Sequence, residues 1–172
     1  MVVFLGYSNA GKTSAIVNVV GQLVKSGKKV GTLKHIHDRD FTIDTKGKDT
    51  WRHASAGAST VIAIAPNELT IIEKEDTSDL TIDRLFRIFR ARQVDYLIIE
   101  GLYRKLSRRR GVVRILCVRT PEEAKELLAL HPTPACILNR KETGQATIQG
   151  VPVLRLPRDL GRLMRIVLGV RA

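Results

Sequence analysis

The hydrophobic positions of this chain fall into short apolar runs that alternate with segments of helical periodicity. The apolar runs are rich in β-branched residues and predict strands at residues 2–5, 29–34, 59–65, 69–74, 95–99, 112–118, 135–138 and 153–156. Helical spacing of apolar residues predicts helices at residues 12–26, 49–56, 82–92, 121–130 and 159–170. Strands that alternate with helices are typical of βαβ units, so the pattern predicts an α/β fold with a doubly wound, mostly parallel sheet.

One pair of predicted strands departs from this alternation. Residues 59–65 and 69–74 are joined only by Pro66-Asn67-Glu68, which is too short for a parallel crossover. The segment therefore predicts an antiparallel hairpin inserted into the α/β order. Residues 141–150 have the most loop-like composition, and no Pro-, Gly- or Ser-rich linker interrupts the sequence, so we expect a single nucleotide-binding domain over residues 1–172.

A glycine-rich motif directly follows the first predicted strand. It reads Gly6-Tyr7-Ser8-Asn9-Ala10-Gly11-Lys12-Thr13 and matches the P-loop pattern G-x-x-x-x-G-K-[ST] in full. In this pattern the glycines let backbone N–H groups point inward at phosphates, and the following helix adds the positive end of its dipole. We expect the loop and the first helical turn to bind the nucleotide through Ser8, Asn9, Ala10, Gly11, Lys12, Thr13 and Ser14.

A P-loop also needs an acid at the end of a neighbouring strand to complete the metal site. The apolar run at residues 96–99 ends in Glu100, which we assign to this role beside the Thr13 hydroxyl. Asp95 opens the same strand and is expected at the opposite edge of the sheet, away from the ligand. Asp44 is a second candidate Mg²⁺ ligand, and an ordinary turn aspartate beside Thr45-Lys46-Gly47 is the alternative. Lys12, Asp44 and Glu100 are thus the candidate catalytic residues.

The segment between the second predicted strand and the second predicted helix is unusually polar. It leaves the carboxyl end of a strand, where ligands of α/β sheets bind, so it can overhang the phosphates. Taken over residues 34–53, it carries Lys34, Lys48 and three of the four histidines. His35 and His37 have the spacing of an H-x-H pair, but without cysteines nearby this favours solvated or phosphate-contacting histidines over a zinc site.

Several of these segments, in this order, resemble the molybdopterin-guanine dinucleotide biosynthesis adapter family (MobB). The resemblance rests on the P-loop, on Leu33-Lys34-His35 with His37, on residues 44–53 running into Ala56-Gly57-Ala58, and on Ile99-Glu100-Gly101. It implies a doubly wound P-loop protein that binds GTP and Mg²⁺ and hydrolyses GTP weakly. It also implies a cytoplasmic homodimer that assists the guanylyltransferase joining GMP to molybdopterin.

The resemblance further implies roles for individual residues of this chain. Phosphate and Mg²⁺ would be held by Gly11, Lys12 and Thr13, and the metal-side strand end would be formed by Glu100 and Gly101. The residues that it assigns to an active-site loop are His35, His37, Asp44, Gly47, Lys48, Asp49 and Arg52. Guanine recognition would need an N-K-x-D-like element; Asn139-Arg140-Lys141-Glu142 resembles one, with an ordinary polar turn as the alternative.

The charge of the chain indicates which kinds of partner it can bind, but it does not indicate which reaction it carries out. The formal net charge is +12, and residues 104–110 carry five basic residues and no acid, while the last helix adds Arg158, Arg162, Arg165 and Arg171. Such runs are solvated surfaces by default, and here they also fit an acidic partner protein, the phosphate of molybdopterin or a nucleotide lid. Nucleic acid is disfavoured because aromatic residues make up only 5% of the chain and no groove-reading motif is present.

The remaining features bear on the compartment. Cys117 and Cys136 lie in apolar runs and are expected to be buried free thiols in a reducing, cytosolic setting. The chain shows no secretory signal and no apolar run approaching a membrane span, so no membrane association is expected. Three functions remain open: a GTP-dependent accessory protein for a guanylyltransferase, a self-sufficient small-molecule kinase with an Arg-rich lid at residues 104–110, and a protein that binds nucleotide only as a structural ligand.

Overall fold

The computed structural model describes residues 1–106, 109–139 and 144–169. Its contacts group into two compact units, one formed by residues 1–35 and 86–172 and the other by residues 36–85. Ser107 and Arg108 of the basic run, Arg140, Lys141 and Glu142 of the candidate base-reading element, and Arg171 lie outside the described residues. No helix in the described part of the chain is long and apolar enough to span a membrane.

The first unit is built on a seven-stranded sheet. Its strands are β1 (Val2–Leu5), β2 (Val30–Lys34), β5 (Tyr96–Glu100), β6 (Val113–Val118), β7 (Cys136–Asn139), β8 (Thr147–Ile148) and β9 (Val151–Leu154). They are ordered β2-β5-β1-β6-β7-β9-β8, and every neighbouring pair is parallel except β8 with β9. The predicted doubly wound, mostly parallel sheet is confirmed. Because β1 lies inside the sheet, between β5 and β6, the loop that follows it is flanked by the ends of both neighbours.

Helices supply the apolar faces that bury this sheet. They are α1 (Lys12–Lys25), α4 (Tyr103–Leu106), α5 (Pro121–Leu130) and α6 (Leu160–Leu168), together with most of α3 (Ile82–Ala91). The core joins Val19 and Leu23 of α1 and Leu163 of α6 to Phe4 and Ile98 of the sheet, all fully buried. At Gly31 of β2 an added Cβ would lie 2.7 Å from the Phe89 ring, so glycine lets α3 pack closely on the strand.

Residues 36–85 form the second unit around the predicted hairpin. β3 (Thr60–Ala65) and β4 (Glu68–Glu73) pair antiparallel in a separate two-stranded sheet, and α2 (Asp49–Ser55) precedes them. The antiparallel hairpin is therefore confirmed. The first residues of α3 also belong to this unit, and the Thr81 hydroxyl accepts the Arg84 N–H at 3.2 Å, which caps the start of that helix. The expectation of a single domain over residues 1–172 stays a prediction.

The structure corrects the sequence prediction at two short elements. Residues 141–150 had the composition of a loop, but Thr147–Ile148 form β8 and turn back on β9, which therefore begins at Val151. Two residues are too few to show the alternation of apolar and polar positions that predicts a strand. Ile148 is buried, which is consistent with its place in the sheet. The helix α4 was also not predicted, because four residues make barely one turn and the basic run has no apolar period.

Both cysteines are buried free thiols, as expected. Burial raises the pKa of each thiol to about 12, because a thiolate loses its hydration inside the apolar core. Cys117 lies in β6 and Cys136 opens β7, and both belong to the hydrophobic core cluster. They act as small apolar side chains.

Candidate nucleotide-binding site

The P-loop (residues 6–13) joins the end of β1 to the start of α1. Its turn requires left-handed backbone at Gly6 (φ 133°), Asn9 (φ 61°) and Gly11 (φ 86°). Gly6 is further restricted by β6, because an added Cβ would lie 2.0 Å from the Cys117 carbonyl oxygen. Both glycines of the motif are therefore required by the backbone, and they hold the loop against the sheet.

The helix that follows leaves its amino end open. Gly11 is the N-cap of α1, no side chain caps it, and the first turn contains no acidic residue. The N–H groups and the positive end of the helix dipole therefore remain available to an anion. The Lys12 Nζ donates to the carbonyl oxygens of Gly6 (3.0 Å) and Tyr7 (2.7 Å), so its ammonium lies over the loop. Backbone N–H groups and a cation placed in this way suit the binding of a polyphosphate.

Glu100 ends β5 beside the start of α1. The Thr13 hydroxyl lies 3.2 Å from Glu100 Oε1 and 3.1 Å from Oε2. A hydroxyl oxygen and a carboxylate are hard ligands of the type that Mg²⁺ prefers, so this pair fits the metal site predicted from the sequence. The described residues contain no cluster of three or more His, Cys, Asp or Glu side chains that could hold a metal ion by itself. The magnesium site stays a prediction.

The carboxyl end of β2, the strand next to β5, contacts Glu100. In the register of β2 and β5, Lys34 lies opposite Glu100, and its Nζ is 3.8 Å from Glu100 Oε1. The His35 N–H donates to the Glu100 carbonyl at 2.9 Å, and the Gly101 N–H donates to the Phe4 carbonyl at 3.2 Å. Gly101 has φ 87°, which permits the chain to turn away directly after the carboxylate.

Asp95 lies where the sequence predicted, at the other edge of the sheet. It is exposed, and its Oδ2 accepts the Lys29 N–H at 2.8 Å. Asp95 therefore links the amino ends of β2 and β5. Since Glu100 is the last residue of β5 and Asp95 precedes its first, the two carboxylates serve opposite ends of one strand.

Residues of the predicted active-site loop lie in the second unit. Asp44 Oδ1 accepts the Thr45 N–H (2.8 Å) and the Thr50 hydroxyl (2.9 Å), which is the turn role considered as an alternative. Its Oδ2 is buried and accepts no hydrogen bond from the described residues. The other members of the loop are His37, Gly47, Lys48, Asp49 and Arg52, of which Lys48 is the N-cap of α2 and Asp49 pairs with Arg52 at 3.7 Å. Their proposed roles stay predictions.

Asn139 is the last residue of β7 and is almost fully buried. It lies opposite Val118 of β6, so it occupies the same carboxyl edge of the sheet as the P-loop. The three residues that would complete a guanine-reading element with it lie outside the described part of the chain.

Two features near the site, a hydrogen bond and a backbone conformation, could not be predicted from the sequence. Tyr7 of the P-loop donates its hydroxyl to Glu126 of α5 at 2.7 Å, across a separation of 119 residues. Leu102 has the left-handed φ of 56°, which is uncommon for a residue with a branched side chain. Neither has a local pattern, because one depends on tertiary packing and the other on the turn after Glu100.

The sheet order, the P-loop and the Thr13–Glu100 contact define an α/β protein of the P-loop NTPase type. The family model for "Molybdopterin guanine dinucleotide synthesis protein B" (MobB) matches residues 1–133. The chain belongs to the MobB family, as the sequence resemblance predicted.

Individual relatives and structures agree with this assignment. The chain is 33% identical over 96 residues to the molybdopterin-guanine dinucleotide biosynthesis adapter protein of Haemophilus influenzae, a match that covers 56% of this chain and 53% of the relative. It is 27% identical over 150 residues to a probable adapter protein of Bacillus subtilis, covering 87% of this chain and 81% of the relative. The crystal structure of Bacillus subtilis MobB superposes with a TM-score of 0.74 at 23% identity, over 96% of each chain, and confirms the fold.

Proposed function

We propose that this protein is a GTP-binding adapter in the biosynthesis of molybdopterin guanine dinucleotide. In this proposal it assists a guanylyltransferase that attaches GMP to molybdopterin. The observation that carries the nucleotide site is the Thr13 hydroxyl held against the Glu100 carboxylate beside an uncapped P-loop helix. Membership of the MobB family and the printed names of the relatives support the pathway. The match to the Haemophilus influenzae protein spans only about half of that protein, so the adapter role itself is part of the proposal.

In this proposal the groups at the P-loop have different roles in nucleotide binding. The N–H groups at the start of α1 and the Lys12 ammonium bind the phosphates, and Thr13 with Glu100 would hold Mg²⁺. When bound, Mg²⁺ neutralises charge on the phosphoryl oxygens. We infer that the protein hydrolyses GTP slowly and that hydrolysis resets it.

Replacing Glu100 by Gln is expected to remove most of the magnesium dependence of nucleotide binding. The amide keeps the size of the side chain but loses the negative charge, and hydrogen bonds to charged groups contribute about 1.5–3 kcal/mol. We expect the affinity for GTP in saturating Mg²⁺ to fall about 10-fold and to approach the metal-free value, measured by calorimetry. Asp95→Asn removes the same charge from the other end of β5 and is the matched control. An unchanged magnesium response in Glu100→Gln would refute the assignment.

The guanine preference has support from one described residue. Asn139 ends β7, two strands from the P-loop strand, at the edge where ligands of α/β sheets bind. A buried side-chain amide at that edge can hydrogen-bond a purine ring. We therefore propose GTP over ATP as the ligand, with Asn139 as one of the base-reading groups.

The basic surface fits an acidic partner better than a moving lid. Arg114 donates to the carbonyl oxygens of Leu106 (3.0 Å) and Arg109 (2.9 Å), and the Arg109 guanidinium lies 4.6 Å from the Phe86 ring centre. These contacts fasten the described part of the basic run to the first unit. We propose that it serves, with exposed Arg165 of α6, to dock an acidic face of the guanylyltransferase or to capture the phosphate of molybdopterin.

The second unit carries the surface that supports a homodimer. Cross-strand pairing places Ile62 opposite Ile71 and Ile64 opposite Leu69 on one face of the hairpin. These side chains are 58%, 47%, 84% and 61% exposed, respectively. Four adjoining exposed apolar side chains mark an interaction surface in a chain of this size. We propose that two copies of this chain associate through it in the cytoplasm.

Replacing Ile64 by Arg is expected to weaken this association more than 10-fold, because the change buries an uncompensated charge at the centre of the apolar face. Sedimentation velocity over a concentration series measures the dimer fraction. Val17→Arg changes another exposed apolar residue, on α1 of the first unit, and should leave the dimer intact. A dimer that survives Ile64→Arg but is lost in Val17→Arg would place the interface elsewhere.

A further inference from the structure

Lys34 is placed so that its ammonium faces the carboxylate of the proposed metal site. It is the last residue of β2 and lies opposite Glu100 in the register of the two strands. The Lys34 Nζ is 3.8 Å from Glu100 Oε1, and the side chain of Glu100 is only 14% exposed. A carboxylate with so little contact with water is stabilised by a nearby cation.

Two further groups lie near this carboxylate. Thr13 gives Glu100 a neutral hydroxyl donor at 3.1–3.2 Å. The Lys12 ammonium, which is the cation of the P-loop, donates to the carbonyl oxygens of Gly6 and Tyr7. Among the described residues, the ion pair with Glu100 is made by Lys34.

A metal ion at Glu100 would meet this ammonium. Two cations that approach the same carboxylate oxygen repel each other strongly at separations of a few ångströms. We propose that Lys34 is a counter-ion that compensates Glu100 before Mg²⁺ arrives and has to leave the carboxylate when the metal binds. The inference rests on the proposed function, since it takes Glu100 and Thr13 as the metal site.

The surroundings of Lys34 allow that exchange. Its backbone is fixed because the next residue, His35, donates its N–H to the Glu100 carbonyl at 2.9 Å. Its side chain is 57% exposed and can therefore move into water without disturbing the sheet. Lys34 then lowers the affinity for metal alone, and the nucleotide phosphates supply the attraction that offsets its displacement. Metal binding becomes dependent on nucleotide through this one side chain.

The proposal predicts that removing the ammonium strengthens metal binding in the absence of nucleotide. Mn²⁺ is the probe, and the unbound ion is measured by electron paramagnetic resonance with wild type and with Lys34→Met. We expect Lys34→Met to bind Mn²⁺ about 2- to 5-fold more tightly than wild type, the range expected for a partly exposed ion pair. Lys29→Met, which removes the same charge beside the other end of β2, should match wild type.

Equal or weaker Mn²⁺ binding by Lys34→Met, including no detectable binding by either protein, would overturn the proposal. The gain must also disappear in the double variant Lys34→Met with Glu100→Gln; a gain that persists there would equally overturn it. Titration of wild type with GTP reports on the proposed function separately. If GTP fails to bind while the Mn²⁺ gain is present, the proposed function fails and the counter-ion role stands.

Discussion

Lys12→Ala is expected to weaken the binding of Mg²⁺·GTP about 10- to 100-fold in calorimetric titration. The substitution removes the only side-chain cation that the P-loop motif itself contributes, and charge-assisted hydrogen bonds of this kind contribute about 1.5–3 kcal/mol. The fold should be retained, because the hydrogen bonds of the ammonium go to carbonyl oxygens of its own loop. The loss should therefore appear in affinity and not in the unfolding transition.

Lys28→Ala is the matched control, since it removes an equal charge from an exposed turn after α1. The same wild-type titration with ATP tests the guanine preference. GTP affinity that is unchanged in Lys12→Ala would contradict the P-loop assignment. Equal binding of ATP and GTP would remove Asn139 as a base-reading group.

Gly6→Ala is expected to destabilise the first unit by about 2–4 kcal/mol. Its Cβ would lie 2.0 Å from the Cys117 carbonyl oxygen, and the residue has φ 133°, a conformation that alanine rarely adopts. The obstacle is backbone of a central strand, which cannot yield as a flexible side chain can. Urea unfolding followed by circular dichroism measures the change in the free energy of unfolding.

Gly21→Ala provides the opposite case on the helix that follows the P-loop. No atom lies within 4 Å of its added Cβ, and its backbone is helical. Alanine is therefore expected to stabilise the protein by up to about 1 kcal/mol. If Gly6→Ala unfolds at the same urea concentration as wild type, the close approach of β1 and β6 described here is wrong.

Much of the fold could be predicted because its signals are local. The alternation of β-branched runs with helical periods gave the parallel sheet, and the three-residue link at Pro66-Asn67-Glu68 gave the hairpin. Glu100 could be placed beside the P-loop from the sequence because it ends an apolar run, and the carboxyl ends of parallel strands meet at one edge of the sheet. The structure adds the contact, since the Thr13 hydroxyl lies 3.1 Å from Glu100 Oε2.

The remaining features depend on distant parts of the chain and so leave no local pattern. The register that sets Lys34 opposite Glu100 pairs two strands that are separated in sequence by all the residues of the second unit. The hydrogen bond from Tyr7 to Glu126 likewise joins residues that are far apart in the sequence. The two-residue strand β8 is too short to show a period, and it forms because β9 offers it an edge.

The adapter role is tested most directly by guanine dinucleotide synthesis in a purified system. The guanylyltransferase, molybdopterin, Mg²⁺ and GTP are combined with wild-type protein, with Lys12→Ala or with neither, and the dinucleotide product is measured. Wild type is expected to raise the yield, and Lys12→Ala is expected to leave it at the level of the enzyme alone. Equal stimulation by the two proteins would contradict a nucleotide-dependent adapter.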